Sequence, residues 1–165
     1  MIWIKRIYFD ASALVKLVLV EDRSAEVQAY AKDNEGHLYT NSICVAEAYN
    51  VLKRKWLGKE KSLDVNTYCA AVNQLTRVRG NGFYLDDVEL LSVQDDVERL
   101  IRKYADVGSC GIDMSDALQL VTIRKEFRHG NSVLVTADNK LAQAAKAEDL
   151  QHWNCNEPPP GPWSI

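Results

Sequence analysis

Short apolar runs recur along the chain, and each is bounded by polar or turn-forming residues. The clearest is SVLVTAD (132–138), which follows a turn and precedes an alanine-rich segment. Runs of this length, rich in Val, Ile and Leu, predict buried β-strands. The predicted strands cover residues 4–9, 37–41, 88–93, 132–138 and 151–154.

Between these runs, apolar residues recur at the three- and four-residue spacing that is typical of amphipathic helices. Ser42 is a candidate N-cap for the third helix. Breakers at Gly80-Asn81-Gly82, Gly108 and His129-Gly130-Asn131 end the three helices that follow. The predicted helices cover residues 11–19, 24–35, 42–57, 63–79, 95–108, 114–127 and 139–147.

Strands that alternate with helices of this length pair in parallel, with helices on both faces of the sheet. The pattern therefore predicts a doubly wound α/β domain with a central parallel sheet of about four to five strands, since typical sheets are of this size. We expect one domain over residues 1–154 and a proline-rich tail over residues 155–165. In such sheets ligands bind beyond the carboxyl ends of the strands.

Composition and charge exclude several classes of protein. A chain of 165 residues with 47% hydrophobic and 26% charged residues is typical of a single globular domain. The net charge of −3 argues against nucleic-acid binding through a broad basic surface. Four scattered cysteines and three isolated histidines predict neither a disulfide framework nor a zinc cluster.

Apolar stretches such as ALVKLVLV (13–20) are too short and too interrupted by charge to span a bilayer. The first residues, MIWIKRIYFD, do not have the layout of a signal peptide. We therefore expect a soluble, cytoplasmic protein with no membrane partner.

Carboxylates follow two of the predicted strands directly. Asp10 ends the first strand and Asp138 ends the SVLVTAD strand, and both precede helices. Aspartate is a favoured N-cap, so capping explains either residue taken singly, although Ser12 and Asn139 are alternative caps. If the two strands are neighbours in the sheet, both acids reach the same edge, which is where a ligand binds.

Three further acids lie on predicted helices. Glu47 has Ile43, Cys44 and Val51 at helical spacing, which places it on or beside the buried face or at its solvent-exposed margin. Asp113 and Asp116 lie three residues apart at the start of the sixth helix. This spacing is typical of a cap followed by an acid in the first helical turn, and it also projects both residues towards one cleft.

Several carboxylates in one cleft raise one another's pKa values unless a cation neutralises them. Oxygen ligands without histidine or cysteine suit Mg²⁺ or Mn²⁺. Metal sites of this kind support attack of water on phosphate esters. The sequence contains neither GxxxxGK[ST] nor GxGxxG, which disfavours an enzyme that uses a nucleotide cofactor.

Four segments resemble, in order and approximate spacing, the PIN-domain ribonucleases and especially the VapC toxins of toxin–antitoxin pairs. They are IYFDASALVKL, SICVAEAYNVL, GIDMSDALQLV and VLVTADNKLAQAA, and the resemblance covers roughly residues 5–150. It implies a three-layer α/β/α fold, an endoribonuclease dependent on Mg²⁺ or Mn²⁺, and a homodimer.

By matching position, the resemblance implies that the metal-binding, catalytic acids are Asp10, Glu47, Asp116 and Asp138. Ser12 and Thr136 match small hydroxyl residues that hydrogen-bond around these acids. Asp113 falls outside the core pattern and is interpreted as a cap, or at most as an acid that contacts the metal ligands.

Three basic residues lie close to the predicted acids along the chain. Arg54 and Lys55 follow Glu47 on its helix, and Lys140 lies beside Asp138. They are candidates for contacts with RNA phosphates, and ordinary solvated charge is the alternative interpretation for each of them.

The function predicted from the sequence is hydrolysis of RNA phosphodiesters by metal-activated water, in the toxin of a toxin–antitoxin pair. An antitoxin of small size is the implied protein partner. The alternatives are a PIN-like binding scaffold without nuclease activity and a metal-dependent phosphatase. Ser12 occupies the place where a haloacid-dehalogenase phosphatase has its second aspartate, and Leu14 interrupts the DxSxS loop of an adhesion domain.

Overall fold

The computed structural model describes residues 6–59, 61–106, 111–127 and 132–159. These ranges contain five strands, seven α-helices and a short 3-10 helix at Val78–Asn81. The strands are β1 Arg6–Phe9, β2 Leu38–Thr40, β3 Phe83–Leu85, β4 Ser132–Thr136 and β5 Gln151–Asn154. The helices are α1 Ala11–Val18, α2 Ser24–Asp33, α3 Ser42–Leu57, α4 Val65–Thr76, α5 Leu90–Lys103, α6 Met114–Phe127 and α7 Asn139–Ala147.

All pairs of neighbouring strands are parallel, in the order β3-β2-β1-β4-β5. The central strand β1 is followed by β2 and β3 on one side, and the chain then crosses to β4 and β5 on the other. Strand order therefore reverses between β1 and β4, where Phe9 pairs with Val135. This register brings Asp10 and Thr136 together just beyond the paired strands.

The two faces of the sheet carry separate cores. Ile7 and Phe9 pack with residues of α1 to α4, whereas Tyr8 and Leu134 pack with residues of α5 to α7. Alternate residues of β1 thus point into opposite layers, as the two-residue period of a strand requires. The predicted parallel sheet and the three-layer α/β/α architecture are confirmed.

The predicted strand at residues 88–93 is wrong. The edge strand is β3 instead, and it follows Gly82, whose φ of +86° suits glycine. Val93, Val97 and Leu100 are buried on one face of α5, so the apolar residues that suggested a strand belong in part to a helical stripe. Consequently α5 begins at Leu90 rather than at residue 95 and ends at Lys103.

Other helix ends are close to those predicted, and α3, α6 and α7 have the predicted bounds. Ser42 is not the cap of α3, because the side chain of Asn41 accepts the N–H of Cys44 at 2.8 Å. The breakers predicted at Gly108 and at residues 129–131 lie outside the described residues. None of the helices in the described ranges is long and apolar enough to cross a lipid bilayer.

Packing continues past residue 154. Cys155 is fully buried, and its N–H donates to the Thr136 carbonyl at 2.7 Å. The division at residue 154 stays a prediction, and residues 160–165 of the predicted tail lie outside the described residues.

Candidate functional site

Asp10 lies where β1 ends, and its carboxylate caps α1. Its Oδ1 accepts the N–H of Ala13 at 2.8 Å, and the Ser12 hydroxyl lies 2.8 Å from Oδ1 and 2.9 Å from Oδ2. The Thr136 hydroxyl donates to Oδ2 at 2.6 Å from the end of β4. Asp10 is only 6% exposed, so donors from two strand ends hold a nearly buried carboxylate.

Both hydroxyls also accept hydrogen bonds from the segment after β4. The Ala137 N–H donates to Ser12 Oγ at 2.7 Å, and the Asp138 N–H donates to Thr136 Oγ1 at 2.9 Å. Each hydroxyl therefore accepts from the backbone and donates to Asp10. These contacts connect the ends of β1 and β4, and Ser12 orients Asp10 instead of capping α1 in its place.

Asp138 caps α7, and its Oδ1 accepts the N–H groups of Lys140 at 2.7 Å and Leu141 at 3.1 Å. The alternative that Asn139 caps this helix is therefore wrong. Capping accounts for one oxygen of the Asp138 carboxylate, while the residue also lines the same pocket as Asp10. At both strand ends, capping and a place in the pocket occur together.

Asp113 and Asp116 cap the start of α6 reciprocally. The Asp116 N–H donates to Asp113 Oδ1 at 3.0 Å, and the Asp113 N–H donates to Asp116 Oδ2 at 3.2 Å. This is the exchange of bonds found in a capping box. Asp113 is exposed and Asp116 is half-buried, so Asp116 lies deeper in the site.

Glu47 is half-buried on α3 and is bridged to α6 by Ser115. The Ser115 hydroxyl lies 2.6 Å from Glu47 Oε1 and 2.7 Å from Asp113 Oδ1. Sequence reasoning missed Ser115, although it stands between two acids that were identified. This contact joins α6 to α3, and nothing in the local sequence of either helix predicts it.

The four predicted acids line one pocket with a volume of about 440 Å³, and Asp113 lines it with them. The pocket lies at the carboxyl ends of β1 and β4, where strand order reverses, as expected for a ligand site in a parallel sheet. Ser12 also lines it, whereas Thr136 lies beneath it in the hydrogen-bond network. The structure therefore brings all four acids to one cavity.

The electrostatics of this pocket disfavour ionised carboxylates. Burial raises the pKa of Asp10 to about 6, and the nearby charge of Asp138 adds to the rise, while the three hydrogen-bonding neighbours oppose it. Burial, followed by the charge of Asp113, raises the pKa of Asp116 to about 7. Burial also raises the pKa of Glu47, and the bond from Ser115 opposes that shift.

A divalent cation would relieve this repulsion, and the chemistry of the donors fits one. The acids of the pocket supply hard oxygen ligands, and neither histidine nor cysteine lines it. Across the described ranges, however, no group of three or more His, Cys, Asp or Glu residues is arranged so that it could hold a metal ion. The carboxylates thus share a cavity, and they would have to close further around an ion.

The three predicted RNA contacts all line the pocket, but their environments differ. Arg54 is exposed, and its charge lowers the pKa of Glu47 against the effect of burial. Lys140 is half-buried beside Asp138. Lys55 forms an ion pair with Glu21, which sequence reasoning did not identify because no motif marks a residue in the loop after α1.

Comparison with protein families gives one match that spans most of the chain. The profile of the PIN domain family matches residues 7–147. No curated protein sequence matches the chain significantly.

Solved structures of three proteins have a similar fold at low sequence identity. VapC20 of Mycobacterium tuberculosis, a Sarcin-Ricin loop cleaving toxin, is 16% identical with a TM-score of 0.59 over 84% of this chain and 94% of that one. PAE2754 from Pyrobaculum aerophilum is 24% identical, with a TM-score of 0.56 over 84% of each chain. FitAcB from Neisseria gonorrhoeae is 19% identical, with a TM-score of 0.51 over 90% and 97%. These likenesses show the fold.

Proposed function

The chain belongs to the PIN domain family, and we propose on this basis that it is an endoribonuclease dependent on Mg²⁺ or Mn²⁺. Its substrate is RNA in the cytoplasm, and the reaction is hydrolysis of a phosphodiester bond. Nucleases that use divalent metal ions are typical of this family.

One observation carries the proposal. The four acids selected from the sequence come from β1, α3, α6 and the end of β4, and they line one pocket within the region that matches the family. Helix capping accounts for the positions of Asp10, Asp116 and Asp138 taken singly, but it does not account for Glu47, which lies inside α3 and lines the same cavity. The structure of VapC20, a toxin that cleaves the Sarcin-Ricin loop, supports the choice of RNA as the substrate.

In this proposal the divalent ion is held by Asp10, Glu47, Asp116 and Asp138. A bound ion supplies the activation of water and the neutralisation of charge on the phosphate. Ser12 and Thr136 keep Asp10 oriented, and Ser115 keeps Glu47 oriented, before any ligand arrives. Arg54 and Lys140, which also line the pocket, are the proposed contacts for RNA phosphates.

The test is cleavage of a mixed-sequence RNA with Mg²⁺, with Mn²⁺ and with EDTA. Asp10→Asn and Asp116→Asn should each reduce metal-dependent cleavage to background, because each removes a negatively charged ligand. Asp64→Asn is the matched control. Asp64 is also an aspartate N-cap, of α4, and it lies outside the pocket, so this variant loses one charge and keeps full activity.

Circular dichroism establishes that the variants are folded. Full cleavage by both Asp10→Asn and Asp116→Asn with Mg²⁺ would show that the assigned site is wrong. Equal cleavage in EDTA would show that the reaction needs no metal.

The arrangement of the acids favours a second candidate, a scaffold that binds RNA or protein without cutting. No three of the described acids are gathered as a set that could hold an ion. Binding of RNA without cleavage under any divalent ion would support the scaffold. Hydrolysis of p-nitrophenyl phosphate with RNA left intact would support a phosphatase instead.

We further propose that the protein is a toxin, acts as a homodimer, and is neutralised by a small antitoxin protein. Family likeness supports this proposal, and similarity to VapC20, itself described as a toxin, is consistent with it. The absence of toxicity on expression, together with the absence of a small co-purifying protein, would contradict it.

A further inference from the structure

An ion pair crosses the rim of the acidic pocket between the loop after α1 and the helix α3. Lys55 Nζ lies 2.5 Å from Glu21 Oε1, with 34% and 26% of the respective side chains exposed. Both residues line the pocket that holds the four acids. The lysine that the sequence suggested as an RNA contact is therefore neutralised by an acid at the mouth of the site.

Hydrogen bonds to two nearly buried residues anchor the loop that carries Glu21. The Glu21 N–H donates to Ser24 Oγ at 2.9 Å, and Lys16 Nζ donates to the Asp22 carbonyl at 2.7 Å. Ser24 and Lys16 are both nearly buried, at 3% and 6% exposure. The backbone next to Glu21 is thus anchored from two sides, and its carboxylate is kept at the rim.

The other partner of the ion pair has a fixed base and a long side chain. The Lys55 carbonyl accepts the N–H of Leu63 at 3.2 Å, which ties the end of α3 to the segment that leads to α4. Beyond that anchored backbone, a flexible stem of four carbons carries the ammonium. Lys55 can therefore redirect its charge without moving the helix.

The charges that line the pocket make this ion pair relevant to the binding of nucleic acid. Acids outnumber basic residues in the lining, six to four, so an entering phosphate meets net repulsion. Partly exposed ion pairs contribute little to stability, so exchanging the Glu21 carboxylate for a phosphate has a small energetic cost.

We propose that Lys55 is a phosphate contact. In the absence of RNA its ammonium group pairs with Glu21, and when single-stranded RNA enters the pocket the ammonium group leaves Glu21 and binds a phosphate of the RNA backbone. Glu21 thereby lowers the affinity of the resting protein for RNA and makes binding selective for a chain placed at the acids. The inference rests on the proposed function, because it takes RNA as the ligand.

The test is fluorescence anisotropy with a short labelled single-stranded RNA, in buffer containing Ca²⁺, over a salt series. Glu21→Gln should raise affinity about threefold to tenfold, because it frees one cationic contact. The plot of log K against log salt should become steeper by up to about 0.7, the value for one phosphate contact on a single strand. Glu21→Asp, which retains the charge but has a shorter reach, should give a smaller gain.

Two further variants distinguish release of the Lys55 ammonium to an RNA phosphate from simple loss of the repulsion between the Glu21 carboxylate and the RNA. In a Lys55→Gln background, Glu21→Gln should add no more affinity than the control Asp96→Asn adds to the wild type. Asp96 pairs with Arg99 on α5, outside the pocket, so its variant matches the change in net charge. An equal gain from Glu21→Gln with and without Lys55 would overturn the proposal, as would a gain no larger than that of the control.

Cleavage of the same RNA with Mn²⁺ is scored separately. Binding in the expected order without cleavage overturns the proposed activity and leaves the role of Lys55 standing. Cleavage without the expected order of affinities overturns the role of Lys55 alone. Failure of every form to bind RNA overturns both.

Discussion

The pocket has a strand half, with Asp10 and Asp138 at the ends of β1 and β4, and a helix half, with Glu47 on α3 and with Asp113 and Asp116 at the start of α6. The two halves hold their carboxylates in different ways. In the strand half, Asp10 receives hydrogen bonds from the Ser12 hydroxyl and the Ala13 N–H in the first turn of α1, and from the Thr136 hydroxyl at the end of β4. In the helix half, Asp116 receives one backbone bond of 3.2 Å and lies beside the charge of Asp113. Asp10 is therefore held by three hydrogen-bond donors, whereas Asp116 is held by one.

Burial alone does not set the two pKa values, because hydrogen bonds lower that of Asp10 and the charge of Asp113 raises that of Asp116. Asp10 is the more buried of the two, yet its pKa rises only to about 6, whereas that of Asp116 rises to about 7. The donors around Asp10 offset part of the cost of burying its charge. Asp10 therefore ionises at a lower pH than Asp116, although both pKa values stand above the ordinary value for aspartate.

The largest effect on stability should come from removing the donor beneath the strand half. Thr136→Val is nearly isosteric, but it leaves Asp10 Oδ2 without its 2.6 Å donor and the Asp138 N–H without an acceptor. The free energy of unfolding should fall by about 3 kcal/mol, because both groups lose bonds that involve a buried charge or a buried backbone. Urea denaturation measures the change.

Thr122→Val is the matched control for this variant. Thr122 is equally buried, but its hydroxyl bonds only to the Leu118 carbonyl of its own helix. Its loss should therefore be much smaller. Equal losses for the two variants would mean that the network around Asp10 contributes nothing special.

The next effect concerns pH in the absence of metal. The pKa values of Asp10 and Asp116 rise from 3.8 in ordinary surroundings to about 6 and about 7, so the folded protein binds more protons than the unfolded chain between these values. The free energy of unfolding should accordingly fall as pH rises from 4 to 7.5, and most steeply below about pH 6, where both acids bind more protons in the folded protein than in the unfolded chain. Denaturation in EDTA at several pH values tests this.

Asp116→Asn should flatten the pH dependence, because it removes the acid with the larger shift. Added Mn²⁺ should stabilise the wild type more at pH 8 than at pH 5.5, since protons compete with the cation for the same carboxylates. A stability that increases with pH through this window would contradict the assigned shifts.

The smallest effect on stability should come from a change in the helix half, at Ser115. Ser115→Ala removes the hydroxyl between Glu47 and Asp113, but the site is partly exposed, so water replaces it and stability changes little. Cleavage should fall by about tenfold, the lower end of what loss of an orienting contact behind a metal ligand causes. Ser92→Ala, which removes a hydroxyl from the first turn of α5, is the control.

These halves also differ in how far the chain predicts them. Asp10 and Asp138 were identifiable because a parallel sheet places the ends of its strands at one edge, and that rule needs only local patterns. The contact of Ser115 with Glu47 joins α6 to α3 across 68 positions of sequence, and no local pattern encodes it. Glu21 was missed for the same reason.

Of the two errors in secondary structure, one has a local cause and the other depends on a contact with a distant residue. Val93 is the only buried residue of the run 88–93. The run is apolar enough to suggest a strand, but Val93 begins the buried face of the helix α5. Asn41 and Ser42 are both good caps, and the choice between them is made by the buried bond from Asn41 to Gln119 at 2.6 Å.

The hydrogen bond from Thr136 to Asp10 joins residues 126 positions apart. During synthesis the N-terminal strand emerges first, and contacts between distant residues form late. A nascent chain therefore carries Asp10 without the Thr136 donor until residues 132–138 have been translated and have left the ribosome. Whatever activity the pocket has therefore begins only after the segment 132–138 has joined the strand that carries Asp10, so the N-terminal part of the chain alone has no complete site.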